Sequence, residues 1–374
     1  MYPETASLDF SQEERDRAAR YHRPRYLARG AGVGLAAAVY AALAWSPVGR
    51  FLWGLVDGWG WAGSAAAWAA IVVVVAAFVQ LPLSYWRDLK RERAWGFSRQ
   101  SVRGWLGDQG KGLALGVLLV AGFWAGAVGL ARAFPRWWPA AAGLAFAAVT
   151  LVVSFLAPVV LEPIFNRFRP LEDERLAAEL RALGEDAGVP VRHVLVADAS
   201  RRTNKVNAYV SGLAGTRRVV LYDTLLAATE APEVKLIVAH ELGHRRERHV
   251  LKGTLVAMAG AIAGVLVLWA VLGSRIASAR ELPQALLLFL ALELAGLAPG
   301  AALSRRWERQ ADRFSLELTG DLGAFERAHV DLARKNLSDL VPPRLAYLLL
   351  FSHPSPPERL ALGRAWARAG ATGS

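Results

Sequence analysis

The 374-residue sequence contains no cysteine. That absence excludes a disulfide-stapled fold, a thiol nucleophile, Cys-ligated zinc and iron–sulfur clusters, so any metal site has to be built from His, Asp or Glu. Histidine is itself scarce, with seven in the chain, and Lys is outnumbered by Arg 38 to 6. With the abundance of Ala and Gly, this bias fits a GC-rich bacterial genome. A phosphate-cradling glycine loop is missing, because Gly110-Lys111-Gly112 lacks the rest of a P-loop. The polar first 29 residues hold no short apolar run ending in a small-residue cleavage site, so no cleaved signal peptide is expected.

What is present is a hybrid composition. Hydrophobic residues make up 54 % of the chain, yet 20 % is charged and the net charge is +12. In a soluble protein such a balance would raise nucleic-acid binding, which needs basic residues gathered on one face with exposed aromatics. Here the basic residues track the ends of apolar runs, which points to a membrane protein and to no nucleic-acid partner. Six runs reach the ~20 residues a bilayer-spanning helix needs. They are Leu27–Trp45, Ala62–Trp86, Gly112–Ala131, Trp137–Leu161, Gly253–Gly273 and Gln284–Leu303. Trp45, Trp61, Trp86, Trp137 and Trp138 sit at run ends, where indole rings favour the headgroup zone. The segment before the first run and the loop after the second are rich in Arg and Lys. The positive-inside rule then puts both termini and residues 162–252 on the cytoplasmic side of an inner or plasma membrane.

The fold expected is mainly α and polytopic, with about six transmembrane helices. Residues 1–161 form a membrane domain with four spans. Residues 162–374 form an α+β unit with a small sheet and two further spans, at about 253–273 and 284–303. In that unit Glu172–Ala187 has helical apolar spacing, and Val194–Val196, Val206–Val210 and Val219–Tyr222 read as short strands. Pro232 opens a helix expected to run to about Val250.

That helix contains His240-Glu241-Leu242-Gly243-His244. Residues four apart lie on one helix face, so two imidazoles can grip one cation while Glu241 reaches a water bound to it. A catalytic zinc needs a third protein ligand and one open position. His249 follows His244 by five residues and points to another face of a continuous helix. Glu308, just past the sixth run, is the better candidate, and Asp312 one turn later can accept the free N–H of a ligating histidine. Spacing alone leaves Glu308 and Asp312 equally readable as two charges on a solvated helix face. The remaining histidines, His22, His193, His249 and His329, lack ligand spacing and read as structural or surface residues. Glu293 lies inside the sixth run, where an ionisable group faces a cavity rather than lipid.

Several segments, in order, resemble the integral-membrane zinc CAAX prenyl protease family of the H-E-x-x-H type. They are Gly96-Phe97-Ser98-Arg99-Gln100-Ser101, Pro163 to Leu171, Asn207-Ala208-Tyr209, Val219 to Leu226, His240 to His244, Leu303 to Asp312, and Ser352-His353-Pro354 with Arg359. Two features depart from the eukaryotic pattern: six spans are counted instead of seven, and Arg245 stands where those members often have Trp. The resemblance implies a zinc metalloendopeptidase with one Zn2+ per chain, held by His240, His244 and Glu308, with Glu241 as base. It further implies an edge strand at Asn207 and Ala208 that holds substrate, His353 and Arg359 reaching into the cleft, and helices enclosing a water-filled chamber that Glu293 lines. The expected partners are membrane lipid and a peptide or protein substrate, lipidated or membrane-embedded substrates among them. Ser355-Pro356-Pro357-Glu358 reads independently as a helix cap.

Overall fold

The computed structural model describes residues 9–156, 166–212 and 217–371. The N-terminal half holds four long helices: α1 (Gln12–Trp45), α2 (Gly60–Ser84), α3 (Val102–Ala133) and α4 (Trp138–Leu156). Helix α1 starts in a capping box, with Ser11 Oγ accepting from Glu14 N–H and the Glu14 carboxylate accepting from Ser11 N–H. Two further apolar helices, α7 (His249–Leu272) and α8 (Leu282–Thr319), come later in the chain. Five of the six expected spans fall on helices long and apolar enough to cross a bilayer. The fourth is the shorter apolar helix α4; its expected end at 157–161, and Pro163 to Phe165 of the family-like exit segment, lie outside the described residues.

Trp68, Trp124 and Trp138 centre the core of this helical part, with Val72, Val128, Val265 and Leu268 around them. The indole N–H of Trp68 donates to Arg280 O (3.3 Å) and that of Trp124 to Ala279 O (2.8 Å), which satisfies both buried donors. Trp138 packs into this core and is 2 % exposed, whereas neighbouring Trp137 is 67 % exposed.

The second unit is built on a four-stranded sheet ordered β1-β2-β4-β3, from β1 (Phe168–Pro170), β2 (His193–Ala197), β3 (Ala208–Ser211) and β4 (Arg218–Tyr222). Strand β1 was not legible as a strand, being three residues long and ending in proline. Strands β2 and β4 are parallel, while β1 and β3 join antiparallel at the two edges. Between β1 and β2, α5 (Glu174–Asp186) starts at Asp173, whose side chain accepts from Leu176 N–H at 3.0 Å. Helix α6 (Ala231–Arg246) packs Val234, Val238 and Leu242 into the same core as Val219 and Leu221 of β4.

The helix expected to reach Val250 ends four residues sooner. Arg248 adopts a left-handed conformation (φ 55°), which breaks the hydrogen-bond ladder and lets α7 begin at His249 in a new direction. Helix α8, at 38 residues, is ~57 Å long. It carries the sixth apolar run and Glu308 on one continuous rod. Three helices close the chain: α9 (Leu322–Lys335), α10 (Arg344–Leu350) and α11 (Pro356–Ala371). The Glu358 carboxylate accepts from Ser355 N–H (2.7 Å), the cap expected there. Tyr21 of α1 is buried in a cluster with Phe97, Leu337, Leu340 and Leu360, which pins the first helix to the last.

Candidate metal centre

One helical turn on α6 brings His240 Nε2 within 3.2 Å of His244 Nε2. Glu308 of α8 meets both, with Oε2 at 3.3 Å from His240 Nε2 and Oε1 at 3.3 Å from His244 Nε2. Contact across two helices requires close backbones, and Gly243 makes that possible. A Cβ at Gly243 would lie 3.2 Å from Ala311 Cα, 3.3 Å from Ala311 O and 3.1 Å from the Phe314 ring, so α6 and α8 touch where the side chain is absent. This explains a helix-weakening glycine in the middle of the motif.

The three side chains offer donor atoms that all lie within 4.8 Å of one another, and among the described residues they are the one such group that can hold a metal ion. Two imidazoles and a carboxylate bound tetrahedrally to a first-row divalent ion at 2.0–2.1 Å put their donors ~3.3 Å apart. The observed separations fit. Glu308 Oε2 is buried and has no hydrogen-bond partner, an unmet acceptor that a cation would satisfy. The donor set therefore suits a metal.

Each imidazole is held from behind. His240 Nδ1 lies 2.9 Å from Asp312 Oδ1, and Asp312 is fully buried. Arg359 Nε donates to Asp312 Oδ2 (2.9 Å) and its Nη2 to Oδ1, a two-point pairing that keeps the carboxylate ionised and fixed. His329 Nε2 stands 3.8 Å from the same carboxylate, and burial drives its pKa down to about 3, so it is neutral. On the other side His244 Nδ1 lies 3.0 Å from His249 Nδ1, and His249 Nε2 lies 3.0 Å from Gln310 Oε1. One proton assignment serves the whole chain of contacts: His244 Nδ1–H donates to His249, and His249 Nε2–H donates to Gln310. The His249 ring also stacks on Trp307 (5.3 Å, 16°). His249 and His329 thus sit behind the centre, His249 touching the second motif histidine. His249 is outside the ligand group, as its spacing implies, but its contact with His244 depends on the turn at Arg248, which nothing local in the sequence marks.

Burial opposes a charge on His240, yet the Asp312 and Glu308 carboxylates beside it outweigh that and lift its pKa to about 9. Burial also raises Glu241 above the ordinary carboxyl value of 4.5, with His240 and His244 pulling the other way.

The centre opens on a cleft of about 880 Å3 lined by His240, Glu241, Asn207, Ala208, His353 and Arg359, among others. Ala208 belongs to the sheet edge β3 and Asn207 precedes it. His353 Nε2 reaches to 3.3 Å from Glu308 Oε1, with Nδ1 held 2.7 Å from Ser352 Oγ. Arg359 lines the cleft, but its Nε and Nη2 are committed to Asp312. Glu293 is exposed on α8 and does not line this cleft.

Residues 170–367 match peptidase family M48, and residues 2–167 match the CAAX prenyl protease N-terminal region of five membrane helices. The chain belongs to peptidase family M48. This M48 peptidase is 29 % identical to the uncharacterized metalloprotease YhfN of Bacillus subtilis, over 78 % of this chain and 71 % of that one. It is 31 % identical to CAAX prenyl protease 1 of Saccharomyces cerevisiae, over 47 % of this chain and 39 % of that protein. The alignment thus spans under half of the yeast relative. The crystal structure of S. mikatae Ste24p superposes with a TM-score of 0.80 at 23 % identity, covering 96 % of this chain and 90 % of that one, and so shares the fold. The chain is a multi-pass membrane metalloendopeptidase on the CAAX prenyl protease plan.

Proposed function

We propose that this M48 peptidase is a zinc endopeptidase whose cleft faces the cytoplasm and that it cuts peptides or proteins delivered from the membrane, lipidated substrates among them. The convergence of His240 Nε2, His244 Nε2 and both oxygens of Glu308 at 3.2–3.3 Å, beside Glu241 and a sheet edge, carries this reading. All-nitrogen-and-oxygen ligation in a tetrahedral spacing suits zinc. A zinc ion bound there supplies polarisation of the scissile carbonyl and a lowered pKa for the attacking water. A site with zinc for structure alone normally uses four protein ligands, whereas the group with all donors mutually close has three members among the described residues, and His353 approaches it through Glu308.

The chain's own residues then divide the work. Glu241 removes a proton from the attacking water and delivers it to the leaving amine. Its raised pKa brings it closer to the solution pH, where both transfers are favourable. Asp312 keeps His240 in the tautomer that leaves Nε2 bare, and Arg359 holds Asp312 ionised. His353, on the open side of Glu308, donates to the oxyanion of the tetrahedral intermediate. Ala208 presents backbone groups to a substrate strand. Glu293, an ionisable group inside an apolar run, supports an aqueous interior between the helices. The Arg-rich first half of α1 and the Arg- and Lys-rich segment that follows α2 support cytoplasmic termini.

The test is to load purified protein with zinc and offer it a prenylated CAAX peptide, the same peptide without prenyl, and unfolded membrane proteins. Cuts mapped by mass spectrometry should appear with wild type and vanish with a chelator. Glu241→Gln should keep one zinc per chain and lose cleavage by about 10²–10⁴-fold. Substantial activity in that variant removes Glu241 from its role. Efficient cutting of unfolded membrane proteins alone would assign the enzyme to quality control rather than prenyl-protein maturation.

A further inference from the structure

Strand β3 is the sheet edge beside the centre, and its free side is shorter than its sequence suggests. Tyr222 N–H donates to Asn207 O (3.0 Å), so Asn207 faces β4, as do Tyr209 and Ser211 by antiparallel alternation. Val206, Ala208 and Val210 therefore turn their backbone groups outward. The first of these is already paired. The Asn336 side chain accepts from Val206 N–H (3.0 Å) and donates to Val206 O (3.1 Å), which mimics a neighbouring strand residue. At the other end Arg245 Nε donates to Val210 O (3.2 Å), joined by its Nη2. Between them Ala208 N–H has a contact of 3.0 Å to Asn207 Oδ1, a side chain that can swing aside. Ala208 O and Val210 N–H have no partner among the described residues.

Helix α6, which packs against the strand, places Arg245 directly after His244, and Asn336 comes from the C-terminal cap of α9. The strand is further anchored upstream, where Lys205 Nζ meets Tyr21 OH and Glu92 Oε2 at 2.9 Å each. This leaves the edge fixed in place.

We propose that Asn336 and Arg245 bracket the substrate-pairing edge, so that the cleft reads the backbone of about three substrate residues, through Ala208 and Val210 N–H, and no more. This rests on the protease reading above. A substrate running antiparallel to β3 has its N-terminal side at Arg245 and its C-terminal side at Asn336. Beyond those points it gains no main-chain hydrogen bonds and must leave the sheet. Arg245 is the specificity-determining residue on one side and Asn336 on the other.

The experiment measures kcat/KM for one peptide lengthened two residues at a time at either end. It compares the zinc-loaded full chain with Arg245→Ala, Arg245→Lys, Asn336→Ala and Asn336→Asp. Steps of two keep the same backbone groups facing the edge. In wild type, lengthening past the brackets should add nothing. Arg245→Ala should convert one N-terminal step into a gain of about three- to tenfold, the worth of a freed main-chain hydrogen bond. Asn336→Ala should do the same on the C-terminal side, and Asn336→Asp, which keeps the acceptor for Val206 N–H, should gain less. The gain should appear in KM. Metal content and thermal unfolding identify any variant that fails to fold, and the Lys and Asp variants then carry the test. Identical length profiles in all folded variants, or gains on the opposite ends, overturn the bracket. Absence of chelator-sensitive cleavage by wild type on every peptide overturns instead the protease reading beneath it.

Discussion

Gly243 gives the sharpest test of how the metal centre is assembled. Substituting alanine adds a Cβ at 3.2 Å from Ala311 Cα and 3.3 Å from Ala311 O, both backbone atoms that cannot rotate away. The third contact, the Phe314 ring at 3.1 Å, can turn aside. Relief therefore requires α6 and α8 to part by a few tenths of an ångström. Overpacking of this kind costs about 1–3 kcal/mol. Replacing glycine by alanine inside a helix returns up to about 1 kcal/mol of propensity. These terms oppose each other, so the metal-free protein should lose only about 0–2 kcal/mol. Metal binding feels no such compensation. His240 and His244 lie on α6 and Glu308 on α8, so the same parting stretches the 3.3 Å separations on which three-point ligation depends. Ligand distances tolerate about 0.2 Å. Gly243→Ala should therefore weaken zinc on the order of tenfold, about 1.4 kcal/mol, measured by competition with a chelator. Gly243→Ser should do at least as much harm. If Gly243→Ala binds zinc as tightly as wild type, close approach of α6 and α8 is not what positions Glu308, and the reasoning fails.

Other outcomes follow from the same geometry. His249→Phe keeps a ring to stack on Trp307 but removes the acceptor for His244 Nδ1–H, and zinc affinity should fall by about 10–100-fold in a chelator titration. His240, with a pKa of about 9 in the metal-free protein, contributes stability fully present below the unfolded value near 6.5, and this is lost as pH rises through about 9. Zinc must displace that proton, so calorimetry in buffers of different ionisation enthalpy should find about one more proton released at pH 7.5 than at pH 10. Glu241 must be ionised to act as base, so the acid limb of kcat/KM should lie above pH 4.5, the ordinary value from which burial raises it.

The features legible in the sequence are those with a local cause. Apolar runs of bilayer length became helices because nothing but a helix satisfies the backbone there. The i, i+4 spacing of His240 and His244 needed only a helix to place both rings on one face. The cap at Ser355 and Glu358 needed only three residues. The failures share a different cause. The left-handed turn at Arg248 is set by where α7 must run, not by a glycine or proline that would announce it, and it is this turn that brings His249 to His244. Likewise the sequence does not show which of Trp137 and Trp138, side by side at the end of one apolar run, packs into the core.

By itself, then, the sequence determined a cysteine-free membrane chain with a helix that carries two histidines four apart and a glutamate between them. Only the tertiary structure decided which distant side chains meet that helix. Glu308 is 64 positions beyond His244, Arg359 is paired to Asp312, and Asn336 caps Val206 from 130 positions away. Periodicity and caps act over one or two turns, whereas these contacts depend on helices crossing at Gly243 and on a sheet edge whose neighbours come from the end of the chain.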